Sequence, residues 1–220
     1  EAFRAAGVPL FVAYYRRAMP LFLKVREVVQ DGTIGTPRTV HISHFEPPLQ
    51  PAADGTFNWR VDPAVGGGGI FVDIGCHALD FLDYVFGPVT EAAGFAANRV
   101  GLYAAEDLVT AAFAFENGVF GSGEWCFTAH RNFEQTRIVG TAGEVAFSFY
   151  APNPVVVTTA SGVTEHPIGF PPHVHQPLIQ TVVDQLLGRG SCPSTGESGL
   201  RASRVIDAVL QGYGQRSKKG

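Results

Sequence analysis

The sequence predicts an α+β fold built on a largely antiparallel sheet of about six to eight strands. Three observations carry that expectation. Strand-like stretches follow one another through residues 89–168, separated by turn residues rather than by helices. Helix-period stretches lie before and after that block. Glycine at 26 and proline at 15 supply the turns that such a sheet needs.

Taken in order, residues 1–6 read as the end of a helix stopped by Gly7. The pattern starts without a cap, so a truncated gene product or a cleaved protein is expected. Residues 9–14 form a continuously apolar strand of the kind buried in a parallel sheet. A helix over 19–31 ends at Gly32. The next strand, 38–46, alternates Val40, Ile42 and His44 with Thr39, His41, Ser43 and Phe45. A proline-bearing loop over 47–57 leads to Asn58-Trp59-Arg60 and then to Gly66-Gly67-Gly68-Gly69. A helix follows, with Phe71, Ile74, Ala78, Phe81, Leu82 and Val85 on one stripe, and stops at Gly87-Pro88. Strands are expected at 89–100, 107–115, 119–128, 133–139, 144–150, 155–159 and 163–168. Glu116-Asn117-Gly118 marks a hairpin, and Gly121, Ser122 and Gly123 mark a bulge or a close approach. A loop bearing His173 and His175 precedes a helix over 178–187. Ser194 and Glu197 resemble a capping box for the last helix, with 215–220 as a frayed tail.

Composition narrows the function classes. The chain has 220 residues, 45% of them hydrophobic and 16% charged, which excludes disorder and allows one or two domains. Net charge is −4 and no basic cluster exceeds Lys218-Lys219, which disfavours nucleic acid as a partner. The three cysteines lack metal or disulfide spacing and suit a reducing compartment. No signal peptide and no apolar run of 18 residues is read, so no membrane association and a cytoplasmic location are expected.

The chemistry concentrates after the glycine run. Asp73, His77 and Asp80 lie at i, i+4 and i+7, so a carboxylate and an imidazole stand one helical turn apart and can act on one small molecule. The same spacing suits a glycine loop, a capping aspartate and an ordinary histidine. It also allows a metal site of Asp73, His77 and Asp80, with Cys76 as a further ligand.

Asn58-Trp59-Arg60, Gly67-Gly68-Gly69 and Asp73-x-x-x-His77-x-x-Asp80 resemble the signature of the glucose-fructose oxidoreductase / inositol dehydrogenase / rhizopine-catabolism (Gfo/Idh/MocA) oxidoreductases. The resemblance extends from Pro9 to about Ala208. It implies the C-terminal domain of that family: an open sheet with helices on one face, like the C-terminal domain of dihydrodipicolinate reductase. Residues 1–17 would be a remnant of the preceding Rossmann domain, and 18–220 the substrate and oligomerisation domain. It implies an NAD(P)-dependent dehydrogenase acting on a sugar, polyol or related alcohol. His77 would be the general acid/base and Asp73 the carboxylate that orients substrate. Trp59, Arg60, Asp80 and His175 would contact substrate, and Tyr14 and Arg17 would lie at the cofactor crevice. No metal is implied. The dinucleotide fingerprint G-x-G-x-x-G is absent from the chain, so the chain alone is expected to bind NAD or NADP weakly and to be inactive.

A second reading keeps the fold without catalysis: a truncated binding or assembly module. In either case a homodimer or homotetramer through the sheet is expected. The sheet is read as apolar on both faces, and an uncovered apolar face would form a patch that soluble monomers avoid.

Overall fold

The computed structural model describes residues 1–216, with side chains through 213, and the tail expected over 217–220 lies outside the described residues. A short helix α1 (Ala2–Ala5) and a 3₁₀ turn (Tyr15–Ala18) precede α2 (Pro20–Gln30) and β1 (Pro37–Phe45). A 3₁₀ turn (Trp59–Val61) and α3 (Pro63–Gly66) lead into a π turn (Phe71–Gly75) that runs directly into α4 (Cys76–Phe86). Then come β2 (Val89–Ala97), β3 (Leu108–Phe115), β4 (Phe120–Cys126), β5 (Phe133–Gly140), β6 (Gly143–Phe147), β7 (Val155–Thr159) and β8 (Gly162–His166). Helices α5 (Gln176–Leu186) and α6 (Gly196–Arg216) close the chain, and α6 carries residues 215 and 216, which the sequence had placed in the tail.

The strands form one open sheet of eight, in the order β2-β3-β4-β1-β5-β6-β7-β8. Only β1 with β4 is parallel, and every other pairing is antiparallel. This is the α+β architecture expected. The crossover places β1 between β4 and β5, so the strand before the glycine run sits at the centre of the sheet.

One face carries the core. Alternation on β1 buries Val40, Ile42 and His44, and on β4 it buries Gly121, Gly123 and Trp125. The two glycines leave room for rings: a Cβ on Gly121 would lie 2.0 Å from Phe113, and one on Gly123 would lie 2.2 Å from Trp125. That is the close approach expected there. Phe71 packs against Trp125, and Phe22, Phe81, Phe147 and Phe149 form an aromatic cluster with centroid spacings of 5.1–6.2 Å. Removing any one of these rings would cost about 3–5 kcal/mol, so the helices bearing Phe22 and Phe81 are held firmly on the sheet.

The other face differs from expectation. Phe120, Phe95 and Phe133 are exposed, but Glu91, Thr110, Glu124, Gln135 and Arg137 share that face. It is mixed rather than apolar, because the alternation puts Phe113, Phe115 and Trp125 inward and leaves mostly small and polar side chains outside.

Three further expectations change. Residues 9–14 make no strand, since their sole ladder contact is an isolated antiparallel bridge from Phe11 to Thr195. An apolar run becomes a strand only where another strand is there to pair with it. The cap of α6 is displaced by one residue: Thr195 Oγ1 accepts from Ser198 N (3.2 Å), and Ser198 Oγ accepts from Thr195 N (3.0 Å). Ser194 instead donates to Val12 O, and Glu197 pairs with Arg4 at the surface. Finally, the helical run Pro63–Phe86 is long and apolar enough to cross a membrane by length and composition, where no such run was read. Half of it is buried inside the domain, and Asp80 and Asp83 on it are paired with arginines, as suits the core helix of a globular fold.

Candidate active site

The glycine run ends α3 and starts the next helix. Gly67 takes the left-handed conformation (φ 79°) that stops α3, and Asp62 caps that helix by accepting from Ala64 N. Gly69 N donates to the buried Glu106 Oε1 at 2.9 Å, and a Cβ on Gly69 would meet Glu106 at 2.7–2.9 Å. The glycines thus admit a carboxylate from this same chain. A phosphate cradle needs free amides, and here a carboxylate already takes the Gly69 amide. The residues present therefore do not fit the pyrophosphate of a dinucleotide.

Asp73 lies in the π turn, a widened helical turn that recurs at functional sites. Its Oδ2 accepts from Arg60 Nε at 2.6 Å, and the Arg60 guanidinium lies 4.7 Å over the exposed Trp59 ring. Both partners of this pair are partly exposed, so it contributes well under 1 kcal/mol to stability and leaves the carboxylate open to exchange partners.

His77, one turn on, enters a different set of neighbours. Tyr14 and Tyr15 each approach its ring at 5.3 Å, and Tyr15 also contacts the exposed His175 at 4.4 Å. Nδ1 of His77 is buried and has no hydrogen-bond partner. Burial, followed by the Arg16 charge and His175, holds the imidazole down to about 3. At neutral pH the ring is uncharged. Burial, with the Cys76 thiol opposite, likewise keeps the Tyr14 phenol protonated, and burial pushes Cys76 up to about 11.

Stability should report the His77 environment. The folded state lowers its pKa from 6.5 to about 3, so this contribution is complete above pH 6.5 and is lost as pH falls toward 3. Between pH 7 and pH 5 the native protein should lose about 2 kcal/mol through this group, a loss that His77→Gln should lack. Urea unfolding at the two pH values reads this directly. Equal losses in the two proteins would contradict it.

Two expected contact residues belong elsewhere. Arg17 and Asp80 are buried against each other: Nε to Oδ2 and Nη2 to Oδ1 are both 2.8 Å. Arg17 Nη2 also donates to Asp83 Oδ1 and to Asp80 O, and Nη1 to Pro193 O. Arg201 completes the network on Asp83. Burial pushes Asp80 up to about 6 despite Arg17, which still leaves it ionised at neutral pH. Within this chain every side-chain polar atom of the pair is committed to a protein partner, so neither offers a free group at the surface. The metal alternative fails on the same point, and among the described residues no group of three or more His, Cys, Asp and Glu could hold a metal ion. Tyr14 is also buried, but against His77.

Sequence reasoning missed Arg16, Glu106 and Tyr150. Arg16 is buried, donates to Phe149 O, and lies 4.9 Å over both Tyr15 and Tyr150. Tyr150 donates its hydroxyl to Ile74 O at 2.7 Å. Arg16 and Arg17 are both buried, and only the turn geometry sends Arg16 to Phe149 O and Arg17 to Asp80.

Residues 22–146, over half of the chain, match the family model described as GFO/IDH/MocA C-terminal domain. "Oxidoreductase P35" of Formosa agariphila is 30% identical over 210 residues, covering 94% of this chain and 64% of that protein. The 1,5-anhydro-D-fructose reductase of Ensifer adhaerens is 28% identical over 96% of this chain and 63% of its own length. A solved levoglucosan dehydrogenase, in complex with NADH and levoglucosan, superposes with a TM-score of 0.79 at 20% identity, over 95% of this chain and 66% of its own. The chain thus spans somewhat less than two thirds of the curated relatives it matches.

Proposed function

The chain belongs to the GFO/IDH/MocA C-terminal domain family, and from that premise we propose that it is the substrate-binding and catalytic domain of an NAD(P)-dependent oxidoreductase acting on a sugar, polyol or related alcohol. One observation carries the reading: His77 presents a neutral imidazole with a buried, unpartnered nitrogen, one turn from the surface carboxylate of Asp73. The names of the relatives agree in kind, since one acts on 1,5-anhydro-D-fructose and another was solved with levoglucosan.

The residues divide the work. Asp73 and Arg60, paired at the partly exposed surface, exchange that pairing for hydrogen bonds to substrate hydroxyls. Trp59 offers an exposed ring beside them. His77, neutral here, accepts the hydroxyl proton as the hydride leaves the same carbon, and the imidazolium so formed gives that proton to solvent once product departs. His175 lines the same aromatic edge through Tyr15. The hydride acceptor belongs to a dinucleotide-binding domain that this chain does not supply, and residues 1–17 form the junction toward it.

Asp73→Asn in the complete enzyme should raise KM for the alcohol about 10- to 100-fold, the loss of a charge-assisted hydrogen bond. Steady-state kinetics that leave both KM and kcat unchanged would remove Asp73 from the site. We further propose that copies pair through the open sheet face around Phe95 and Phe120, both of them two-thirds exposed. Light scattering at micromolar concentration should give a dimer or tetramer mass, and a monomer mass would contradict the pairing.

A further inference from the structure

We infer that Glu106 is a positioning residue for His77 and Asp73: it anchors the first turn of their helix to the sheet and so sets where both side chains point. The inference rests on the functional reading above. It starts from a buried carboxylate that the proposed chemistry does not use.

Glu106 is 2% exposed and lies in the connection just before β3. Its own backbone is rigidly held. The neighbouring Asp107 accepts from Arg99 N and Val100 N through its side chain. Asp107 N donates to Ala97 O, and Asp107 O accepts from Phe127 N, so this point is tied to the flanking strands. From that fixed point the Glu106 carboxylate reaches Gly69 N at 2.9 Å. A negative group at the positive end of a helix is favourable, and burial strengthens the interaction. Burial also raises the carboxyl above its usual range, partly offset by the Gly69 amide.

The far end of the same turn is held too. Tyr150 donates to Ile74 O, and a Cβ on Gly75 would meet the Phe71 ring at 2.8 Å. The π turn between Gly69 and Cys76 is thus gripped at both ends, and Asp73 is inside it. A helix that slips by one residue turns its side chains by about 100°. The Gly69 contact prevents that slip, and Gly69 is glycine because any side chain there would overlap Glu106.

The test uses three variants and reads the chain itself as well as the enzyme. Glu106→Gln keeps an acceptor at the same reach. Glu106→Asp keeps the charge but withdraws it by one methylene. In labelled protein, Glu106→Asp should raise hydrogen exchange at the Gly69 amide on the order of tenfold and shift the His77 ring signals. Glu106→Gln should leave both near native. In the complete enzyme the Asp variant should lower kcat and raise KM together, because both His77 and Asp73 move, and the Gln variant should leave both near native. Native His77 signals in folded Glu106→Asp, or equal disturbance in both variants, would overturn the inference. If Glu106→Asp does not fold, Gly69→Ala displaces the same carboxylate and is read in the same way. The spectroscopic arms need no turnover. Moved ring signals in a protein that oxidises no alcohol would keep the positioning role and defeat the dehydrogenase reading, while unmoved signals would defeat the positioning role alone.

Discussion

Replacing Arg17 with methionine is expected to lower the unfolding free energy by about 3–5 kcal/mol. Arg17 is almost wholly buried, and Asp80 has no exposed surface at all. The substitution removes both prongs of the fork on Asp80, and the donors to Asp80 O and Pro193 O with them. Asp83 keeps Arg201, so the uncompensated charge is that of Asp80. Its carboxyl, at about 6 with Arg17 present, should rise further without it. A raised folded-state pKa favours the protonated form, so the deficit should be full above that raised value and shrink as pH falls from it toward about 6. Arg17→Met with Asp80→Leu should recover much of the loss, because removing both charges leaves neither stranded. Urea unfolding at pH 8 and pH 5 decides it. A loss below about 1 kcal/mol, or a deficit that grows on acidification, would show that the pair is not what holds α4 to the Tyr15–Ala18 turn.

The same ion network shows where the sequence could be read and where it could not. The strands were legible because alternation on Val40, Ile42 and His44, and the glycine turn at Gly118 (φ 85°), are local signals. The central helix was legible from the stripe of Phe71, Ala78, Phe81 and Leu82, all buried. Its π turn was not, because the cause lies in packing: Phe71 over Gly75, Tyr150 on Ile74 O, and Glu106 on Gly69 come from places remote in sequence. The Asp73–His77 spacing places the two residues one helical turn apart. It did not show that Asp73 pairs with Arg60 while His77 faces Tyr14 and Tyr15. Asp80 matched the same motif but is an internal counter-ion, and only its burial distinguishes a structural from a functional carboxylate. Arg16 and Arg17 are adjacent and identical in type, so nothing in the string says which one reaches Phe149 O and which one pairs with Asp80.

His77→Ala is expected to reduce kcat for alcohol oxidation on the order of 10²-fold or more in the complete enzyme, as for removal of a general base. The ring lies against Tyr14 and Tyr15 at 5.3 Å, uncharged at neutral pH, with one nitrogen buried and unpaired. Alanine removes the proton acceptor and leaves Arg60, Trp59 and Asp73 in place, so substrate binding should survive and KM should change far less than kcat. His77→Gln should not restore turnover, because an amide can hydrogen-bond a hydroxyl but cannot take its proton. The deciding measurement is steady-state reduction of NAD+ and NADP+ by the complete enzyme across a panel of sugars and polyols, native protein beside His77→Ala. The expected result is turnover of at least one such alcohol by the native enzyme and a kcat at least about 100-fold lower in the variant. Near-native turnover in His77→Ala, or no alcohol oxidised by the folded native enzyme, would contradict it.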